Sequence, residues 1–288
     1  MMHAKSGTHI VLIPWGGLCN RMRAIACGLN LAKRTNGTMK IFWPVLEELG
    51  ASFEEVFQPI PRDLFPFSVK VKSIGVNKFN GYLWTKQKSK VIRLLGLTGW
   101  RWFSDFKRAD LEKIGVGSFP GRKSVVESCY AFLPHEEGDV DIGKIFPLRQ
   151  EIVARGEQLA NASMIGIHIR RSDNAWSTQG SPLALFKKAI SEKIAKNPEQ
   201  RFYLATDDDE TVKELKTEFG DAIVLQEHRR LSRGDRGGII DAAVDFYALS
   251  RCGSIFGSYW SSFSDIAAEY GNCPLTILKE ESYRAEEN

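Results

Sequence analysis

The 288-residue chain is poor in cysteine, nearly balanced in charge and without a long apolar run, and each shortage removes a class of protein. Its five cysteines, Cys19, Cys27, Cys129, Cys252 and Cys273, include no Cys-x-x-Cys pair and leave one over under full pairing. Neither a zinc site nor a disulfide framework is indicated, and a reducing compartment fits best. Lys and Arg number 39 against 35 Asp and Glu, a formal net charge of +4, too balanced to advertise a nucleic-acid-binding surface. Recognition of an anion must then be local. No stretch approaches the roughly 18 apolar residues of a membrane span, and Met1 to Thr8 carries no apolar signal core. The expected location is cytoplasmic, with peripheral contact at the inner membrane surface left open.

What remains is an ordinary globular composition, 43% hydrophobic and 26% charged, on a chain long enough for two domains of about 140 residues each. His9 to Pro14 reads as a short buried strand ending in the turn Trp15-Gly16-Gly17, after which Leu18, Met22, Ile25, Leu29 and Ala32 recur at helical spacing. Lys40 to Trp43 reads as the next strand. From Ala51 to Pro134 the pattern blurs into proline-rich and aromatic stretches, and Lys86 to Trp102 is either a half-buried helix or a basic amphipathic segment that touches a membrane. Beyond Pro134 strands and helices alternate: strands at 164–169, 201–205, 222–225 and 254–257, helices at 147–160, 182–196, 208–219, 239–250 and 263–270. Such alternation means βαβ units and parallel sheets. The division predicted is an N-terminal Rossmann-like domain, 1–134, and a C-terminal doubly wound domain, 135–288, with a ligand cleft between them.

The chemistry gathers at strand ends. Ile165 to Ile169, with His168 one step inside, discharges into Arg170, Arg171, Ser172 and Asp173, and such an exit is where open α/β sheets hold ligands. Two planar guanidiniums suit a phosphate or pyrophosphate; the alternative is structural ion pairs with Asp173 or a neighbouring acid. Tyr203 to Asp209 ends a second strand in Asp207, Asp208 and Asp209, of which at least one should cap the following helix. No His or Glu accompanies them at a spacing useful to a metal, so metal dependence is not expected. Phe256 to Ser262 turns through Gly257 and sets Ser261 and Ser262 at a helix start, where they cap the helix, bind phosphate, or do both. Asp241 and Asp245 lie four apart on one helical face. A carboxylate there either accepts from the N1–H and exocyclic amine of guanine or is an ordinary solvated acid. Gly16-Gly17-Leu18-Cys19-Asn20-Arg21 places a side-chain amide at a helix opening, without the G-x-G-x-x-G fingerprint of dinucleotide binders. The basic run His228 to Gly238 reads as a mobile loop beside the cleft rather than a nucleic-acid contact. Trp84, Trp100, Trp102 and Phe103 either stack on sugar rings or belong to the core.

In order and spacing, G-G-L-C-N-R, H-I-R-R-S-D, Y-L-A-T-D-D and D-F-Y-A-L-S-x-C-x-x-x-x-G-S-x-x-S-S resemble the fucosyltransferase superfamily, most nearly the NodZ-like α1,6-fucosyltransferases and more distantly the protein O-fucosyltransferases. The resemblance implies a GT-B-like α/β architecture, GDP-fucose as donor, a glycan or lipid-linked oligosaccharide as acceptor, inversion at the anomeric carbon and no required metal or other cofactor. It implies that Arg170 and Arg171 hold the departing diphosphate, that His168 and Asp245 read guanine, and that Ser261 and Ser262 bond the β-phosphate. Asp207 and Asp208 would line the pocket or orient the arginines, Gly17 would contact the donor, and Asn20, near donor and acceptor, would join the arginines as a catalytic residue. The chain departs from the α1,6 enzymes at Asn174 and Thr178, where Lys and the Glu proposed as base are often found. A transferase of the same fold using another nucleotide sugar, or a nucleotide- or glycan-binding protein without catalysis, are the competing readings.

Overall fold

A computed structural model describes residues 8–75, 97, 99–104, 123–172 and 175–283. The chain divides into two compact units, one running to Leu148 and including Ser232–Ile239, the other comprising Arg149–Leu231 and the chain from Ile240 onward. Residues 135–148 thus pack with the first unit, not the second as the sequence division placed them. Polar and apolar contacts both hold the segment: Asn30 Oδ1 accepts from the Val140 amide at 2.8 Å, Arg34 pairs with Asp139 at 2.6 Å, and Phe146 packs on Phe57 with ring centroids 5.2 Å apart.

The first unit is built on five parallel strands, β1 (His9–Pro14), β2 (Thr38–Val45), β3 (Val69–Gly75), β4 (Trp100–Ser104) and β5 (Lys123–Ser128), in the order β3-β2-β1-β5-β4. The chain starts in the middle of its sheet, works outward through β2 to β3, then crosses to the far edge at β4 and returns inward to β5, so the carboxyl end of β1 is a point where the topology reverses. The helix Leu18–Arg34 buries Met22, Ile25, Leu29 and Ala32, as its 3.6-residue period requires. β3 and β4 are edge strands. In β3 lysines alternate with Val69 and Val71, a half-wet pattern that lacks the continuous apolar run of a central parallel strand. Trp100 and Trp102, expected within a helical or membrane-touching segment, lie in strand β4 beside Phe103 and are partly exposed or half-buried. Trp84 and the rest of 86–96 fall outside the described residues.

The second unit repeats the plan with β6 (Ile165–Ile169), β7 (Phe202–Thr206), β8 (Ile223–Val224), β9 (Ser254–Ser258) and β10 (Leu275–Leu278), ordered β10-β9-β6-β7-β8 and parallel throughout. Every residue of β6 and β7 is buried, the signature of strands covered on both faces. Ile167, Ile169, Phe202 and Leu204 form a core with Phe186, Ile190 and Leu215 from the helices Leu183–Lys196 and Asp209–Phe219. Gly257 lets the helix Ser262–Gly271 lie against β9: a Cβ there would sit 2.6 Å from Ser264 Oγ.

None of the five cysteines is in a disulfide, and only Cys273 is not fully buried. Burial pushes the thiols of Cys27 and Cys252 up to about 12. Among the described residues, no helix is long and apolar enough to cross a membrane. The basic run is anchored rather than loose: the Gly50 amide donates to Arg233 O at 2.8 Å, and Arg236 pairs with Glu55.

Candidate functional site

The carboxyl ends of three adjacent strands of the second unit bring the sequence candidates together. β6 lies centrally, with β7 on one side and β9 on the other, so the loops leaving β6 and β9 part at the reversal of strand order, the place where open α/β sheets bind ligands. His168 lies within β6, and Arg170 and Arg171 follow it directly. Asp207 and Asp208 leave β7, and Ser261 and Ser262 open the helix after β9.

Hydrogen bonds fasten these exits to one another. The Arg170 amide donates to Ser258 Oγ at 3.2 Å, and that buried hydroxyl donates to His168 O at 3.3 Å. Asp207 turns its carboxylate toward the β6 exit, accepting from the Arg171 amide at 2.7 Å and from the Ser172 amide and hydroxyl at 3.4 and 2.6 Å. Among the described residues Arg171 forms no ion pair; its Nη1 donates to Thr178 O at 3.2 Å, and Thr178 Oγ1 returns a bond to Arg171 O. Burial lowers the Arg171 guanidinium from its usual range, opposed by Asp208 and Asp207. Its Nη2 is buried without a protein partner, as is the Ser261 hydroxyl, which does not cap its own helix. Buried polar atoms are rarely left so, and a diphosphate would present oxygens to both kinds of donor.

Asp208 is the N-cap of the helix Asp209–Phe219, accepting from the Thr211 amide at 2.9 Å and hydroxyl at 2.6 Å. The Thr211 hydroxyl, working against partial burial, holds the Asp208 carboxyl below the usual carboxylate range. His168 is buried, its ring stacked on Phe263 with centroids 4.9 Å apart.

Asp245 is no solvated helix acid. It is buried, accepts from the Tyr203 hydroxyl at 2.6 Å, and is pushed up to about 7 by burial, against the lowering effect of that bond and of Arg229. Asp241, one turn earlier, accepts from Arg155 at 2.6 Å and from the Arg230 amide at 3.0 Å. Tyr203 and Ser258 were not singled out from the sequence. Both stand within motifs that were, Tyr203 opening Y-L-A-T-D-D and Ser258 in the turn after Gly257, but nothing in the spacing of residues says which partner either one meets.

Gly17 and Asn20 belong to the first unit, at the carboxyl end of its central strand. Gly16 has φ +77° and carries the turn. Gly17 precedes the helix with an extended backbone, and a Cβ there would meet nothing within 4 Å, leaving open space over the helix N-terminus. Asn20 Oδ1 accepts from Arg23 at 2.9 Å, and Arg23 also donates to Cys129 O at 3.0 Å. Arg21 is wholly buried, donating to Gly16 O and Pro44 O with its guanidinium 4.8 Å from the Trp43 ring centre. It holds the turn to the end of β2. No group of three or more His, Cys, Asp or Glu that could hold a metal ion occurs among the described residues, and Asp207 and Asp208 direct their oxygens to backbone amides and hydroxyls instead.

No protein-family model matches the chain, and no curated protein matches it in sequence. Solved structures do match in fold. The fucosyltransferase NodZ from Bradyrhizobium is 20% identical over 91% of this chain and 93% of its own, with a TM-score of 0.60. A variant of Arabidopsis thaliana FUT1 in complex with GDP is 14% identical over 99% of this chain and 74% of its own, TM-score 0.60. POFUT1 in complex with GDP is 15% identical over 94% and 98%, TM-score 0.53. NodZ has also been solved soaked with GDP-fucose, at 20% identity and TM-score 0.60. At these identities the likeness is one of fold: α/β, with two Rossmann-like domains, as in these fucosyltransferases.

Proposed function

We propose that this protein is a fucosyltransferase that moves fucose from GDP-fucose to a glycan acceptor with inversion and without a metal. The observation that carries the reading is the convergence of Arg170 and Arg171, braced by Asp207, with the Ser261–Ser262 helix start at the exits of β6 and β9. Displacement at a sugar carbon develops negative charge on the departing diphosphate, and fixed donors aimed at that charge lower the barrier most directly. Arg170 and Arg171 supply the opposing positive charge, Ser261 and Ser262 supply hydroxyl and helix-start amides, and His168 and Asp245 hold guanine.

Of the first unit's residues, Gly17 is assigned to donor binding and Asn20 to the catalytic set. The general base is left unassigned, since Thr178 stands where a Glu is often found and its hydroxyl is bonded to Arg171 O. The acceptor is a glycan or a lipid-linked oligosaccharide, and the proposed setting is the cytoplasm.

Calorimetric titration with GDP, GDP-fucose and UDP-sugars, followed by a donor-hydrolysis assay in EDTA, tests the reading. Binding of GDP and GDP-fucose but not of UDP-sugars, with release of GDP unaffected by chelation, is expected. Equal affinity for UDP-sugars would point to a different donor, and GDP binding with no turnover on any acceptor would point to a binding protein.

A further inference from the structure

The turn after β9 carries one more feature. Among the described residues with exposed large hydrophobic side chains, Trp260 is the only aromatic one, at 43% exposure. Its backbone is left-handed, φ +57°, a conformation that a bulky residue adopts at a cost and that clusters at ligand sites. The ring stacks on Trp176, centroids 6.1 Å apart and planes 30° from parallel.

The short helix Ala175–Gly180 and its neighbour Ser181 fix this pair above the strand exits. Ser177 Oγ donates to Tyr259 O at 2.6 Å, the Tyr259 amide donates to Ser181 Oγ at 2.7 Å, and Thr178 is bonded reciprocally to Arg171. One small element therefore positions both the arginine and the exposed indole.

The order of groups along the turn matches the order of groups along a nucleotide sugar. Phe263 stacks on buried His168 and meets Phe246 edge-on; next to it in the chain stand the hydroxyls of Ser262 and Ser261, and before them comes the exposed Trp260. A nucleoside diphosphate hexose runs base, diphosphate, sugar. With the diphosphate at the serines, the ring covalently next to it on the outer side is the hexose. The apolar C–H face of a pyranose complements the negative face of an indole.

We propose that Trp260, backed by Trp176, is the platform on which the hexose of the donor stacks. This rests on the reading of the second unit as a nucleotide-sugar site, and it adds a determinant of donor affinity that lies outside the phosphate and guanine contacts.

The test compares GDP with GDP-fucose by calorimetry on the full chain. Trp260→Ala should weaken GDP-fucose at least fivefold and leave GDP within twofold, and Trp260→Phe should keep most of the affinity. Trp260→Asn, which tolerates the left-handed backbone, should behave like Trp260→Ala with an unchanged melting temperature, separating loss of the ring from collapse of the turn. Equal weakening of GDP and GDP-fucose, or no change in either, overturns the platform while leaving the transferase reading in place. Failure of the parent protein to bind either ligand overturns both.

Discussion

Single side chains carry the sharpest expectations. Removing one fixed donor from a developing oxyanion typically costs about 10²–10³ in rate, so Arg170→Ala should abolish transfer at that magnitude with the fold intact. Arg170→Lys should fail almost as badly, because a point charge does not reproduce a planar fork; turnover within tenfold of the parent in a GDP-release assay would count against the assignment. Asp245 gives a pH signature. Its carboxyl is raised in the folded chain to about 7, against an unfolded value near 3.9. Between those limits the folded state holds the extra proton, so stability falls as pH rises through the window and levels off above it. Asp245→Asn, which can still accept from Tyr203, should therefore raise the melting temperature at pH 8 and change it little at pH 4.5. GDP affinity should move the other way in the parent protein, dropping as pH falls below 7, because only the carboxylate accepts both guanine donors. The arginine pair, the serines and the acids were legible as residue types at strand ends. The Tyr203 bond to Asp245 and the Ser258 bridge were not, since side-chain partners from distant segments leave no periodic trace.

Strands were legible where they carry a continuous apolar stretch. His9–Pro14 was read to the residue, and β6, β7 and β9 to within one, because each holds an apolar stretch next to turn residues. β3, β4, β5 and β10 were missed: β3, β4 and β10 are edge strands with alternating or partly exposed side chains, a pattern shared with loops, while β5, buried beyond Lys123, mixes Val125 and Val126 with Ser124, Glu127 and Ser128 and so shows no apolar run. The helix caps give an element-level check. Asp208 serves the helix Asp209–Phe219 through its carboxylate, so Asp208→Ala should cost about 1 kcal/mol in denaturant unfolding, while Asp208→Asn or Asp208→Ser should recover most of it. Gly257→Ala should be worse, about 1–3 kcal/mol from overpacking, since the new methyl meets both the hydroxyl and the Cβ of Ser264. A Gly257→Ala protein as stable as the parent would mean the helix Ser262–Gly271 can shift away from β9.

Over the whole chain, the two-unit α/β plan was legible but not its seam, because residues 135–148 are tied to the first unit through partners distant in sequence, Asn30, Lys33, Arg34 and Phe57, which no local pattern announces. A ligand that binds only the folded form stabilises it by about 2.7 kcal/mol at a hundred times its Kd. GDP should therefore raise the melting temperature and UDP should not, a comparison readable by scanning fluorimetry before any acceptor is known. The thiol inventory makes a finer instrument possible. Four cysteines are walled in, and Cys273 alone has partial access, two residues past the helix whose opening presents Ser262. A maleimide dye, coupled slowly at mildly alkaline pH because burial raises this thiol too, would attach at one defined place without mutagenesis. At 1.5 Å per residue it would sit about 15 Å along the helix from the serine turn, near enough to sense the arrival of a nucleotide and far enough away not to obstruct it.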